Sequence, residues 1–305
     1  MSDAEMMEKI KRLKKEREAV ILAHNYQPPV IQDIADIVGD SYELSVQASR
    51  TEEPVIVFCG VSFMAETAAI LAPEKKVLLP EKLAGCPLAD TVTAEQLQQF
   101  KQDYPDYTIV TYVNSSAEVK AESYVCVTSS NAVNVMESLK ADKIMFAPDK
   151  NLGEFLAKRT SKDVKTWPGY CITHERVTVE DVKRAREEHP DALIVVHPEC
   201  PPEVTGMVDE ALSTGGMIRL AAETPYQKII IGTEMGMLYR LSKENPDKEF
   251  KLLSPGLVCP NMKYTTLEKV AISLDRLEGE VTVPQETADK ARKALERMIE
   301  IPSVD

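Results

Sequence analysis

Three apolar runs rich in β-branched residues recur along the chain, and each ends in polar residues. They are AVILAHNY (19–26), YTIVTYVN (107–114) and ALIVVHPE (192–199). Continuous runs of valine and isoleucine predict strands that are buried on both faces, as in parallel sheets. Their similar length and shared polar ending indicate one structural unit that occurs three times.

The pattern predicts two more strands in each unit, with helices between them. The second set of strands is 55–60, 124–129 and 228–233, and the third is 76–81, 143–149 and 249–255. Helical patterns intervene, such as 63–71, 132–139 and 234–241, and a final helix is predicted from about 285 to 299. Each unit is therefore expected to hold three strands with interleaved helices.

A cysteine loop marks the same place in each unit. Cys86, Cys171 and Cys259 each follow a glycine within three residues and precede a Thr-x-Glu sequence by seven positions. The segment 86–110 aligns without a gap on 171–195. The threonine of this sequence is predicted to cap a helix, and Gln96 would complete a capping box in the first copy.

These patterns predict an α/β fold of three homologous three-layer αβα domains. Small parallel sheets would surround a pseudo-threefold axis, with a central active-site cavity, because ligands bind at the carboxyl ends of parallel strands. The expected domains are 1–86 together with 260–305, then 87–171, and then 172–259.

Charge and hydropathy narrow the function classes. The net charge of -13 argues against a nucleic-acid surface, which needs a basic face. No apolar run approaches the length of a membrane span, and the charged N-terminal segment lacks the features of a signal peptide. We therefore expect a cytoplasmic protein with no nucleic-acid or membrane partner, in which thiols stay reduced and available to metals.

Three thiolates that converge on one axis can bind a metal centre and leave one coordination position open. A zinc site normally uses four closely spaced Cys and His ligands, and the chain has no C-x-x-C pair. An iron–sulfur cluster tolerates ligands from distant loops, and its open iron can act as a Lewis acid. The other cysteines, Cys59, Cys126 and Cys200, are expected to pack in the interior.

Polar residues at equivalent strand ends are candidates for substrate chemistry. His24 and His197 are predicted to bind a substrate carboxylate, while Tyr26 and Glu199 are suited to proton transfer. The middle unit offers Tyr112 and Asn114 in the same slot, and His174 follows the second cysteine loop. Hydroxyl residues at predicted helix starts or turns are candidate anion sites, namely Ser41, Ser129 and Thr214.

The combined motifs resemble the quinolinate synthase family over nearly the whole chain. They are AHNYQ (23–27), GDSYELS (39–45), Gly85-Cys86-Pro87, TYVNSSAEVKA (111–121), CVTSSNA (126–132), WPGYCITHE (167–175), VVHPEC (195–200), STGGM (213–217) and SPGLVCPNMK (254–263). The resemblance implies a trilobed fold with one [4Fe–4S] cluster. It also implies an enzyme of NAD biosynthesis that condenses iminosuccinate with dihydroxyacetone phosphate to quinolinate, phosphate and water.

The resemblance also assigns roles to residues. It implies that the cluster is held by Cys86, Cys171 and Cys259, and that Tyr26, Glu199 and His174 take part in catalysis. The implied substrate-binding residues are His24, Ser41, Tyr112, Asn114, Ser129, His197, Glu199 and Thr214. A functional partner would be the aspartate oxidase or dehydrogenase that produces iminosuccinate.

Three alternatives remain open at the level of sequence. The first is a different [4Fe–4S]-dependent hydro-lyase, which would share the open iron but not the substrates. The second is an iron–sulfur redox or sensor protein, although such proteins usually ligate every iron with side chains. The third is a structural zinc protein.

Overall fold

The computed structural model describes residues 1–302 and contains three four-stranded sheets flanked by helices. The strands are β1 (Ala19–His24), β2 (Ile37–Gly39), β3 (Val55–Cys59), β4 (Lys76–Leu78), β5 (Thr108–Tyr112), β6 (Val125–Val127), β7 (Lys143–Ala147), β8 (Asp163–Thr166), β9 (Leu193–Val196), β10 (Glu210–Ala211), β11 (Lys228–Gly232) and β12 (Glu249–Leu252). Within residues 1–302, no helix is long and apolar enough to cross a membrane.

The first α-helix precedes β1, and the others lie between the strands or after the last of them. They are α1 (Asp3–Glu16), α2 (Pro29–Ile34), α3 (Ser41–Arg50), α4 (Ser62–Leu71), α5 (Ala94–Asp103), α6 (Ala117–Ala121), α7 (Ala132–Ser138), α8 (Lys150–Ala157), α9 (Val179–Glu188), α10 (Pro202–Thr205), α11 (Thr214–Glu223), α12 (Met237–Glu244), α13 (Leu267–Arg276) and α14 (Gln285–Glu300).

The three sheets share one topology. Their strand orders are β2-β1-β3-β4, β6-β5-β7-β8 and β10-β9-β11-β12, and every pairing is parallel. The predicted fold class, three αβα units with small parallel sheets, is therefore confirmed. Because the order is the same, each strand in one unit has a structural counterpart in the other two.

The predicted number of strands per unit is wrong, since each sheet has four strands rather than three. The missed strands, β2, β8 and β10, lie at sheet edges and are two to four residues long. They lack the apolar runs that identify buried strands. Only the middle unit has a fully buried strand in the second position, β6, so the prediction grouped 124–129 with 55–60, although β7 is the counterpart of β3.

The predicted threonine caps are confirmed in all three units. Thr93 Oγ1 accepts from the Gln96 amide at 3.3 Å, and Thr178 Oγ1 accepts from the Asp181 amide at 3.2 Å. Thr266 Oγ1 accepts from the Lys269 amide at 3.3 Å. Such a cap stabilises a helix start by about 1 kcal/mol. Gln96 completes the expected capping box.

The inner strands form the core. Every residue of β1 and β3 is buried, and a single apolar cluster joins the first and second units. Burial of a valine, leucine or isoleucine side chain contributes about 1.5–3 kcal/mol. The third unit packs around two clusters of its own, one on each face of β9 and β11. The sheets therefore provide rigid supports for their carboxyl ends.

The two C-terminal helices pack differently. Helix α13 lies against α1 and β3 of the first unit, as expected for the returning tail. Helix α14 lies against α4 of the first unit and against α6 and β6 of the second. Asn131 Nδ2 donates to the Met298 carbonyl at 2.9 Å, and Arg292 Nε donates to the Ile70 carbonyl at 2.9 Å. The last helix thus links two units, and the domain division stays a prediction.

Candidate active site

The carboxyl ends of the strands meet around one cavity. All the site residues predicted from the sequence line it: His24, Tyr26, Ser41, Cys86, Tyr112, Asn114, Ser129, Cys171, His174, His197, Glu199, Thr214 and Cys259. They come from all three units and from segments far apart in the chain. The fold therefore brings the predicted residues together, while their individual roles remain predictions.

Sheet register explains why these residues converge. His24 pairs with Gly39 and Tyr112 with Val127, and His197 follows the pair of Val196 with Ala211. His24, Tyr112 and His197 are therefore structural counterparts. Two residues further along, the counterparts are Tyr26, Asn114 and Glu199. A third set of counterparts follows the neighbouring strands β2, β6 and β10. Two residues beyond the positions that pair with the first set lie Ser41, Ser129 and Thr214.

The three loop cysteines are partly buried free thiols at the cavity. Burial, with a smaller contribution from the neighbouring Cys259, raises the pKa of Cys86 to about 12. Burial likewise raises the pKa of Cys171 and Cys259. A metal centre would stabilise the thiolate form that burial alone disfavours.

A second candidate ligand group lies beside one of these thiols. Among residues 1–302, Cys171, His174 and Glu199 hold their ligand atoms within 4.8 Å of one another. His174 Nδ1 is 2.8 Å from Glu199 Oε2 and 3.3 Å from Cys171 Sγ. The cavity can therefore hold a metal cofactor.

A continuous hydrogen-bond chain crosses the cavity wall. The Tyr26 hydroxyl is 2.6 Å from Thr233 Oγ1, which is 2.8 Å from His174 Nε2. His174 Nδ1 continues the chain to Glu199, and the Tyr112 hydroxyl donates to Glu199 Oε1 at 2.5 Å. One assignment of the hydrogens satisfies every member of the chain. The Tyr26 hydroxyl donates to Thr233, and Thr233 donates to His174 Nε2. His174 Nδ1 and the Tyr112 hydroxyl both donate to Glu199.

The environment fixes the protonation states along this chain. Burial, with the charge of Glu199, holds the pKa of Tyr26 and of Tyr112 well above the usual range. Burial alone would raise the pKa of Glu199, but His174, His197 and the hydrogen bond from Tyr112 hold it below its usual range. At neutral pH the chain therefore has a carboxylate in its interior and protonated phenols at its ends.

The two strand-end histidines are neutral imidazoles. Burial, with a smaller contribution from His197, lowers the pKa of His24 to about 3. Burial also lowers the pKa of His197 to about 3. His197 Nε2 lies 3.1 Å from Ser129 Oγ, and its ring stacks on His174 at 4.8 Å between centroids. These imidazoles can bind substrate by hydrogen bonds but not by a full positive charge.

One lining residue has an unused hydrogen-bonding atom. Asn114 Oδ1 is buried and has no partner among the described residues. Leaving such an acceptor unpaired costs about 1–3 kcal/mol. A ligand donor in the cavity would recover this free energy, so Asn114 is suited to bind substrate.

The sequence is similar to those of known proteins over nearly its whole length. Residues 8–300 match the family described as quinolinate synthetase A protein. The chain belongs to the quinolinate synthetase A family. It is 55% identical over 293 residues to a quinolinate synthase of Dehalococcoides mccartyi strain CBDB1, covering 96% of this chain and 97% of the relative. It is 53% identical over 302 residues to that of Geotalea uraniireducens strain Rf4, covering 99% of each chain.

Several polar residues around the cavity of this family member were not predicted from the sequence. Thr233 is the last residue of the predicted strand 228–233, and it joins Tyr26 to His174. Asp149 and Glu234 were not identified at all, and both are fully buried. A correct alignment of β7 with β11 would have paired these two carboxylates, since each follows its strand by two residues.

The remaining cysteines lie in the interior. Cys59 on β3 and Cys126 on β6 are fully buried in apolar clusters. Cys200 is also buried, and its thiol donates to the Gly232 carbonyl at 3.5 Å. Their positions agree with the expected packing role.

Proposed function

We propose that this chain is a quinolinate synthase that condenses iminosuccinate with dihydroxyacetone phosphate. One phosphate and two waters leave, and the atoms balance without an oxidant or a reductant. Membership of the family supports the proposal, and so does one observation: a single cavity holds acid–base residues, anion-binding hydroxyls and three thiols together.

We further propose that Cys86, Cys171 and Cys259 hold one [4Fe–4S] cluster. A single zinc ion with Zn–S bonds of about 2.3 Å needs its sulfur ligands about 4 Å apart. The three thiols do not form such a compact group among the described residues, although all line the same cavity. A wider spacing of the three sulfur atoms suits a cluster, because its several metal ions can fill the space between the three cysteine loops. When bound, the cluster would supply an open iron as a Lewis acid for a substrate oxygen.

Substrate anions are expected to bind at the helix starts. Ser41 and Thr214 are the first residues of α3 and α11, and Ser129 lies just before α7. Backbone amides at such positions favour negative charge. The two substrates together carry two carboxylates and one phosphate, which matches the three counterpart hydroxyls. His24 and His197, as neutral imidazoles, would donate hydrogen bonds to carboxylate or carbonyl oxygens.

Proton transfers are expected to run through the hydrogen-bond chain. Tyr26 stays protonated at neutral pH and reaches the cavity, so it can donate a proton to a leaving hydroxyl. Glu199 stays ionised and can accept a proton through His174 or Tyr112. General acid–base catalysis of this kind contributes about 10²–10⁴-fold. These steps are the isomerisation, ring closure and dehydration that follow loss of phosphate.

We expect the enzyme to work in the cytoplasm next to an aspartate oxidase or dehydrogenase that supplies iminosuccinate. That substrate hydrolyses easily, which favours rapid transfer between the two enzymes. No nucleic acid is expected as a partner, since the net charge is -13.

Anaerobic reconstitution with iron and sulfide tests both halves of the proposal. The expected result is about four irons per chain and quinolinate formation from the two substrates. A Cys171→Ser variant should lose the cluster and the activity together. A fully active iron-free variant would refute the cluster, and a cluster-loaded protein that makes no quinolinate would favour a different hydro-lyase. Zinc in excess of iron after anaerobic purification would favour the structural zinc protein.

A further inference from the structure

Two buried carboxylates occupy counterpart positions in the second and third units. Thr111 pairs with Ala147 in one sheet, and Val196 pairs with Gly232 in the other. Two residues beyond these pairing partners lie Asp149 and Glu234, and both side chains are fully buried. Two equivalent sheets thus place an acidic side chain at the same point, just before α8 and near the start of α12.

Each carboxylate binds the backbone amide of a loop cysteine. Asp149 Oδ2 accepts from the Cys171 amide at 3.1 Å, and Glu234 Oε1 accepts from the Cys259 amide at 3.2 Å. Glu234 Oε1 also pairs with Lys263 Nζ at 2.9 Å, a contact that Asp149 lacks among the described residues. The second oxygen of each carboxylate binds the carboxylate's own segment. Asp149 Oδ1 accepts from the Leu152 amide at 2.8 Å, and Glu234 Oε2 accepts from the Gly236 amide at 2.7 Å. Both carboxylates therefore tie a strand end to a cysteine loop.

The first unit uses a different anchor. Ala23 pairs with Cys59, so the counterpart of the two carboxylates is Val61, which cannot accept a hydrogen bond through its side chain. Its cysteine loop is held instead by the Ser62 amide, which donates to the Ala84 carbonyl at 2.8 Å. Asn261 Nδ2, from the third cysteine loop, donates to the Gly85 carbonyl at 2.7 Å.

We propose that Asp149 and Glu234 are positioning residues that fix the backbone of Cys171 and Cys259 for cluster binding. This inference rests on the proposed cluster. A metal ligand is presented in one orientation only if its supporting hydrogen bonds are made, and loss of such a partner typically weakens metal binding about 10–100-fold. Both carboxylate oxygens accept a hydrogen bond from a backbone N–H. The side-chain amide of Asn or Gln cannot replace the carboxylate, because its NH₂ group would face one of these two N–H donors.

The test compares Asp149→Asn and Glu234→Gln with Asp181→Asn. Asp181 serves as a control because its buried carboxylate also accepts a backbone N–H at a helix start, from Thr178 at 3.0 Å, with no contact to a loop cysteine. The first measurement is iron release to a chelator after anaerobic reconstitution. Asp149→Asn and Glu234→Gln should release iron at least about 10-fold faster than wild type, while Asp181→Asn should match it.

The second measurement needs no iron, so it separates this inference from the proposed function. Hydrogen exchange of peptides spanning Cys171 and Cys259 is followed in the cluster-free proteins. Loss of one amide hydrogen bond should speed exchange there by about 5-fold in the corresponding variant only. If Asp149→Asn does not fold, Glu234→Gln carries the same test.

Wild-type exchange rates in both anchoring variants would overturn the inference, whether or not a cluster forms. So would equal iron release in all three variants. A wild-type protein that takes up no iron would instead refute the proposed cluster, while faster exchange in the anchoring variants would still support the backbone anchors.

Discussion

Thr233→Val is the sharpest test of the hydrogen-bond chain. Thr233 is fully buried, and its hydroxyl is the link between the Tyr26 hydroxyl at 2.6 Å and His174 Nε2 at 2.8 Å. Valine has nearly the same shape as threonine but cannot make either hydrogen bond. The substitution therefore breaks the chain at one point and leaves Tyr26, His174 and Glu199 in place.

The expected loss of stability follows from the two groups left without a partner. Each buried unpaired group costs about 1–3 kcal/mol. Tyr26 is partly exposed, so water can replace its lost partner, whereas His174 is only 2% exposed. We therefore expect the free energy of unfolding to fall by about 1–3 kcal/mol, measured by urea denaturation of the cluster-free protein.

The catalytic effect should be larger than the effect on stability suggests. If the chain carries protons between Tyr26 and Glu199, kcat for quinolinate formation should fall about 100-fold or more, at an unchanged iron content. Thr233→Ser restores a hydroxyl on the same carbon and should recover most of the activity. A Thr233→Val enzyme with kcat within about 3-fold of wild type would refute proton transfer along this chain.

Three further predictions test the site and the fold. Tyr26→Phe should lower turnover about 10²–10⁴-fold while the iron–sulfur absorbance persists, and near-normal activity would remove Tyr26 from the mechanism. The pKa of His197 is about 3 in the folded protein, whereas its ordinary value is 6.5. As the pH falls, His197 therefore stays neutral in the folded protein while the unfolded chain takes up a proton there. Stability should therefore fall by about 2 kcal/mol for this histidine between pH 7 and 5, and the fall should be smaller in His197→Gln. Met298→Ala should cost about 2–5 kcal/mol in urea unfolding, since this side chain is fully buried between α14 and the core; a loss near zero would contradict that packing.

The sequence could predict the inner strands and the cavity lining because both leave local signals. Buried strands are continuous apolar runs, and the polar residues that end them face the cavity. The three edge strands that were not predicted left no such signal: among them, β10 is two residues long, and β8 alternates between exposed and half-buried positions. In the middle unit, β6 was therefore matched with β3 and β11 in place of β7. With that match, the equivalence of Asp149 and Glu234 could not be predicted.

Contacts between the units could not be predicted from the sequence either. Thr233 follows the third unit's strand β11, but its partners come from the strand end after β1 and from the second cysteine loop. Helix α14 has an ordinary amphipathic pattern, which predicts a packed face but not the two units that it joins. Such pairings depend on the arrangement of the sheets rather than on local spacing.

The repeated unit explains how one cavity can serve an asymmetric reaction. The backbone offers each position three times, and the side chains diverge where the chemistry differs: Tyr26, Asn114 and Glu199 are counterparts that can act as acid, hydrogen-bond acceptor and base. The hydroxyl position stays nearly the same, as Ser41, Ser129 and Thr214, because the proposed substrates carry three anionic groups. The carboxylate anchors follow the same logic. Two cysteine loops are tied by Asp149 and Glu234, and the first is tied to its neighbour by Asn261, so the loop that carries Cys86 depends on the placement of the third.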